Sequence, residues 1–248
     1  MKRIIAIFLI AINVMFFNAA NVFAEPNQSK ATQECNVNVR TFHYEKITDL
    51  IKSNLDVPNL TGLKNLRIQS RINKMFVKDI FAFSRRIEKL AMQAKKDGVL
   101  RNPYEAYTRF KVAYNCNCIL SIPVTFYEYT GGAHGNTTLK PYNINLKTGK
   151  IIGYKDIFKK GFDYKTIIIN EIQRQIKENK NDIPYFDDAL ETVSQFTDKQ
   201  SFYITKDGIV VIYGLYELAP YVSGIQEFKI PFTLFGDGIN TEIIKECK

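Results

Sequence analysis

Tryptophan is absent from this 248-residue chain, and histidine nearly so, with only His43 and His134. Two histidines cannot fill a three-histidine metal site. A mixed site needs cysteines or carboxylates at ligand spacing, which the sequence does not offer. Neither a metal centre nor a cofactor is therefore expected. No Gly-x-Ser-x-Gly elbow and no Cys/His nucleophile signature occurs, so no catalytic residue is assigned. The one glycine-rich stretch, Gly131-Gly132-Ala133-His134-Gly135, precedes neither Lys-Ser/Thr nor a helical pattern and makes a poor phosphate loop. Internal repeats and low-complexity tracts are missing. Beyond residue 24 no run is apolar and long enough to span a bilayer.

What is present has the balance of a globular chain, 46% apolar and 24% charged. The first 24 residues stand apart. Lys2 and Arg3 precede the apolar run Ile4 to Ile12, and Val22-Phe23-Ala24 places small residues before a cut after Ala24. This pattern predicts a secretory signal peptide over 1–24, with an uncleaved anchor as the alternative. Residues 25–36 are polar and aperiodic, a flexible leader. All four cysteines, Cys35, Cys116, Cys118 and Cys247, follow the cut. In an oxidising compartment an even number predicts disulfides rather than free thiols. A Cys116–Cys118 bridge would be strained, so each is expected to reach a terminal cysteine, Cys35 or Cys247. The choice between those pairings stays open.

Hydrophobic periodicity then predicts the elements. Ile68, Ile72, Met75, Phe76, Ile80, Phe83, Ile87, Leu90, Ala91 and Ala94 recur at helical steps. They predict a helix over about 64–97, some 50 Å long at ~1.5 Å per residue. A second helix over about 163–179 is capped by Asp163 and buries Tyr164, Ile168, Ile172 and Ile176, and a weaker one spans 185–195. Alternating segments predict strands over 37–46, 106–114, 119–129, 138–146, 202–205, 209–213 and 228–232, with a shorter piece before a loop at Pro58 and Gly62. Asn115 to Cys118 reads as a hairpin turn, and His43 as a half-buried strand residue. Strands and helices fall in blocks, so the expected fold is α+β, an antiparallel or mixed sheet covered by the two main helices.

Three stretches carry a resemblance: Pro58 to Asn73; Tyr127-Glu128-Tyr129-Thr130-Gly131-Gly132-Ala133-His134-Gly135 with Tyr142 to Lys150 and Asp156-Ile157-Phe158; and Tyr216-Glu217-Leu218-Ala219-Pro220-Tyr221 with Gly224-Ile225 and Ile230-Pro231. Together they resemble a bacterial pair of adjoining domains of unknown function. That pair is found in the extracellular region of RsiV-type anti-sigma factors and the N-terminal region of PdaC-type peptidoglycan deacetylases. The resemblance covers about residues 40–235. It implies a PdaC-type domain over 37–135 and an RsiV-type domain over 136–248, packed as one unit. In the anti-sigma factors the region is a receptor for lysozyme, and in the deacetylases catalysis belongs to a separate domain. The expectation here is therefore the sensing or binding module alone.

Candidate binding residues are Gly131, Gly132, His134, Tyr216, Glu217 and Tyr221. The glycines permit close approach of a ligand. Aromatic faces beside a carboxylate suit sugar or peptide binding, although packing around a kinked strand exit is the plainer use of the same residues. His134 is the one side chain with acid–base potential, to be weighed against a purely structural hydrogen bond.

With 34 Lys+Arg against 25 Asp+Glu the net charge is +9, and loss of Lys2 and Arg3 leaves +7. Lys74, Lys78, Arg85, Arg86, Lys89, Lys95 and Lys96 crowd the first helix away from its apolar stripe. Export argues against nucleic acid as partner. Wall and membrane phosphates outside a Gram-positive bacterium are the polyanions such a surface meets, and a solvated face is the alternative. The only dense acidic stretch is Asp182, Asp187, Asp188 and Glu191, where a basic lysozyme would have to dock. Three readings result: a secreted or wall-associated, non-catalytic binding module for a wall component or a wall-active protein; a wall-glycan hydrolase using His134; and a structural envelope protein held by its charge.

Overall fold

The computed structural model describes Cys35 and residues 37–241. The expected signal peptide, the leader apart from Cys35, and Cys247 lie outside the described residues. The fold is mixed α+β. A hairpin of β1 (Asn38–Ile47) and β2 (Ile51–Thr61) leads into α1 (Leu66–Lys96), and the chain returns as β3 (Tyr104–Phe110). Strand β3 lies parallel to β2, which makes α1 the crossover of a β-α-β unit. Strands β4 (Tyr114–Cys116), β5 (Ile119–Tyr129), β6 (Asn136–Asn145) and β7 (Lys150–Ile151) complete a seven-stranded sheet in the order β1-β2-β3-β5-β6-β7, with β4 also on β5.

The expected long helix is present. The Asn65 side chain accepts hydrogen bonds from the Arg67 and Ile68 N–H groups at its start, and Gly98, at φ +71°, follows its end. Its row Ile68, Ile72, Phe76, Ile80, Ser84, Ile87, Ala91 and Ala94 is buried on one sheet face. Leu90 departs from the expected stripe and is 44% exposed, because it lies one step off the Ile87–Ala91–Ala94 row. Four ion pairs fasten the helix flanks to the strands and their turns: Lys46 with Glu88 (2.7 Å), Lys140 with Asp79 (2.6 Å), Arg86 with Glu128, and Lys95 with Asp49. Burial pushes the Asp79 carboxyl up, but the Lys140 ammonium and the Tyr142 hydroxyl outweigh it and hold it below its ordinary value. A lowered folded pKa stabilises above the unfolded value and is lost as pH falls through the folded one. Asp79→Asn is therefore expected to cost about 0.5–1 kcal/mol at pH 7, given partial solvent screening, and progressively less at a pH below the ordinary carboxylate range. Urea melts at the two pH values check this.

Other expectations need correction. The strand foreseen over 106–114 breaks. Phe110 pairs with Val124 and Tyr114 with Ser121, so three residues oppose two, and the bulge turns Val112 out to 43% exposure. Pro58 is not in a loop but pairs with Thr41 inside β2, past Leu55, where pairing with β3 stops. His43 is exposed rather than half-buried, because its strand is the sheet edge, and its Nδ1 lies 2.8 Å from Asp56. The Asn115–Cys118 turn is as foreseen. Asn117 and Cys118 both take positive φ, 52° and 62°, the geometry of a tight hairpin. Cys35 is bonded to Cys118, and Cys116 is also disulfide-bonded.

After a short helix that was not foreseen, α2 (Tyr154–Ile157), come α3 (Tyr164–Glu178) and α4 (Ala189–Ser194). Asp163 caps α3 through the Thr166 N–H, as expected. They pack on a three-stranded antiparallel sheet of β8 (Phe202–Ile204), β9 (Gly208–Tyr213) and β10 (Gln226–Pro231) in the order β10-β9-β8. The two sheets meet on the face of the large sheet that α1 leaves open. There Ser121 and Asn143, both buried, hold the backbone of β8. The Asn143 amide donates to the Phe202 carbonyl (2.8 Å), and the Ile204 N–H donates to Ser121 Oγ (3.0 Å) and Asn143 Oδ1 (3.2 Å). Residues 135 and 136, the expected boundary between the two domains, lie at the β5–β6 hairpin, whose ten paired positions belong to one sheet.

Candidate functional site

Alternation in β3 and β5 puts Ala106, Thr108, Val124 and Phe126 under α1 and turns Tyr107, Arg109, Thr125 and Tyr127 to the opposite face. The small sheet covers only part of that face. At its border lies a cleft of about 640 Å³, floored by Arg109, Pro123, Thr125 and Leu139 and walled by Tyr221, Ile225 and Glu227. Its two cations are matched by acids. Arg109 Nε lies 3.4 Å from Asp56, and Lys111 donates to the Tyr203 hydroxyl (3.1 Å), which donates to Glu227 (2.7 Å). Burial, and then Glu227, raises the Tyr203 phenol above its ordinary value. The cleft thus offers polar groups without a strong excess of either charge.

An aromatic rim borders this cleft. The His134 ring stacks on Tyr221 with centroids 3.9 Å apart, and Tyr216 leans on Tyr221 at 5.8 Å. Tyr107 and Tyr127 stack at 5.7 Å on the neighbouring sheet face. Gly135 joins the groups. Its carbonyl accepts the Tyr221 hydroxyl (2.9 Å) and faces His134 Nδ1 (2.9 Å), and a Cβ there would lie 2.4 Å from the Tyr127 ring. Only glycine lets the loop pass that ring. Tyr216 holds φ +64°, a strained value for a bulky residue, and its side chain is largely exposed.

Of the residues foreseen from sequence, His134, Tyr216 and Tyr221 come together. Glu217 does not face them: it accepts the Gly214 N–H (2.9 Å), and burial, followed by the Glu217 charge, raises the Tyr213 phenol to about 12. Gly131 and Gly132, at φ +86° and +99°, lie further along the loop, where Tyr129 donates to the Gly132 carbonyl (2.9 Å). They border a separate hollow beside Tyr104 and Tyr129. The acidic residues Asp182, Asp187, Asp188 and Glu191 are exposed, and the Phe186 N–H donates to the Leu218 carbonyl (2.9 Å), so the middle of this segment lies beside the chain that carries Tyr216 and Tyr221. Sequence reasoning missed Tyr107, Arg109, Tyr127 and Glu227 as site residues. The signal for the first three was their shared parity on the face away from the long helix. Among the described residues no group of three His, Cys, Asp or Glu side chains is placed to hold a metal ion.

Residues 44–137 match the family described as Deacetylase PdaC, and residues 155–233 match a protein family of unknown function, DUF3298. The chain is 26% identical over 193 residues to the peptidoglycan-N-acetylmuramic acid deacetylase PdaC of Bacillus subtilis, covering 77% of this chain and 40% of that protein. It is 28% identical over 187 residues to the anti-sigma-V factor RsiV of the same organism, covering 73% and 63%. It thus spans less than two thirds of either relative. A DUF3298-family structure from Bacteroides fragilis superposes with a TM-score of 0.64 at 17% identity, over 85% of this chain and 96% of that one. Another, from Pseudomonas aeruginosa, gives 0.60 at 16%, over 86% and 98%. These two show a shared fold. The chain thus matches the PdaC and DUF3298 families one after the other along its length.

Proposed function

We propose that this protein is an exported, non-catalytic recognition module that binds a cell-wall component through the cleft between its two sheets. The observation that carries the reading is the aromatic rim, His134 on Tyr221 with Tyr216 beside them, at the edge of a polar cleft. Flat rings next to paired donors and acceptors match the alternating apolar faces and hydroxyl or amide edges of a wall glycan. The Cys35–Cys118 bridge suits an oxidising compartment. A glycosidic cut would need two carboxyl groups across the bond. The carboxylates around the cleft already have protein partners: Glu217 accepts the Gly214 N–H, Glu227 the Tyr203 hydroxyl, Asp56 pairs with Arg109 and His43, and Glu105 lies beside Tyr107. A second reading, a wall-active protein such as lysozyme as the ligand, is favoured by the acidic segment beside the rim, which complements a basic partner.

Saturable binding to purified wall sacculi that survives high salt is expected. Tyr221→Ala should weaken it at least tenfold, and Tyr221→Phe, which keeps the stack and loses the Gly135 bond, only two- to threefold. Binding to lysozyme but not to sacculi would move the assignment to the second reading. Release of sugar products that disappears in His134→Ala would overturn both.

A further inference from the structure

The solvent side of α1 carries a charge pattern that the cleft does not use. Arg67, Arg71, Lys74, Lys78, Arg85, Lys89 and Lys96 follow one another at steps of three, four or seven, and all are exposed. At 3.6 residues per turn they fall within an arc of about 60°, opposite the buried row, in a single file about 44 Å long. Acids are excluded from the file. Asp79 and Glu88 sit on the helix flanks and are taken by Lys140 and Lys46 of the sheet. The basic residues off the file, Arg86 and Lys95, are the ones paired with Glu128 and Asp49. Among the described residues none of the seven lies within ion-pair distance of a carboxylate. A shallow depression of about 520 Å³ at the helix start is lined by Leu66, Arg67, Ser70, Arg71 and Lys74.

We infer that this file is a second binding surface, for a linear phosphodiester polymer. Like charges repel at this spacing unless counterions or a polyanion neutralise them, and an arrangement one charge wide matches a chain with phosphates at regular intervals. A helix that lies on a lipid bilayer buries a continuous apolar face in it, whereas the apolar row of α1 is covered by the sheet, and its exposed apolar residues, Leu66, Val77, Leu90 and Met92, are scattered along it. The partner is therefore an extended anionic chain, and it engages a face separate from the cleft.

Titration of the purified protein with poly(glycerol phosphate) tests the assignment. The logarithm of the binding constant should fall with the logarithm of salt concentration at a slope of about −5, from about 0.7 per contact on a single-stranded chain. Lys74→Gln/Lys78→Gln/Lys89→Gln should weaken binding at least tenfold and reduce the slope by about 2. Lys160→Gln/Lys199→Gln/Lys206→Gln, an equal charge change at exposed sites elsewhere, should leave binding within twofold. Equal losses in both triple variants, or an unchanged slope in the first, would overturn the surface. Anionic phospholipid vesicles binding as tightly, with the same residue dependence, would replace the polymer by a membrane.

Discussion

Cys35→Ser is expected to lower unfolding stability by about 3–5 kcal/mol. The bridge closes a loop across a sequence separation of 83, and constraint of the unfolded chain grows with the logarithm of loop length, to about 4–5 kcal/mol for a loop of this size. The native side adds to the effect. Cys118 sits at the β4–β5 turn in left-handed backbone, and Cys35 enters just ahead of β1, so the bond pins the start of the fold to the middle of the large sheet. Asn115 reinforces the same tie by donating to the Val37 carbonyl at 2.9 Å. Guanidinium melts of the wild type, Cys35→Ser and Cys35→Ser/Cys118→Ser check the point. Both variants should lose about the same amount, since either removes the same link. Equal midpoints for wild type and variants would show that the bridge contributes nothing.

Asn143→Leu should cost about 2–4 kcal/mol and loosen the two sheets from one another. The leucine removes the donor to the Phe202 carbonyl and the acceptor shared by Ser121 and the Ile204 N–H, all inside the junction. A buried polar group left without its partner costs about 1–3 kcal/mol. Ser121→Ala should cost less, about 1 kcal/mol, because the Ile204 N–H keeps Asn143 Oδ1 at 3.2 Å. The two changes share one network, so their effects should not add. The cleft lies between the same sheets, so affinity for sacculi should fall in Asn143→Leu at temperatures where the variant is still folded. Full stability of Asn143→Leu would refute the junction as the element that joins the sheets.

The long helix was legible because its signals are local. The apolar residues recurring every three or four positions all lie in one stretch of chain, whereas Asn65, inside the expected bounds, emerges as the cap only in the structure. Asp163 and the Asn117–Cys118 turn were legible for the same reason: a cap and a tight turn are each decided within four residues. His134, Tyr216 and Tyr221 could be named as an aromatic and imidazole set, but not placed together. Their meeting depends on Gly135, 86 positions from Tyr221, accepting that hydroxyl.

By itself the sequence determined the two main helices, most strands and the excess of positive charge on one helix. Tertiary structure alone decided which sheet face stays open, which cysteine Cys35 meets, and that Glu217 turns to Gly214 while Tyr107 and Tyr127 join the rim. The division is physical. Periodicity and capping act over a few residues, whereas strand order, register and the packing of one sheet on another are set by pairings across the whole chain that no single segment encodes.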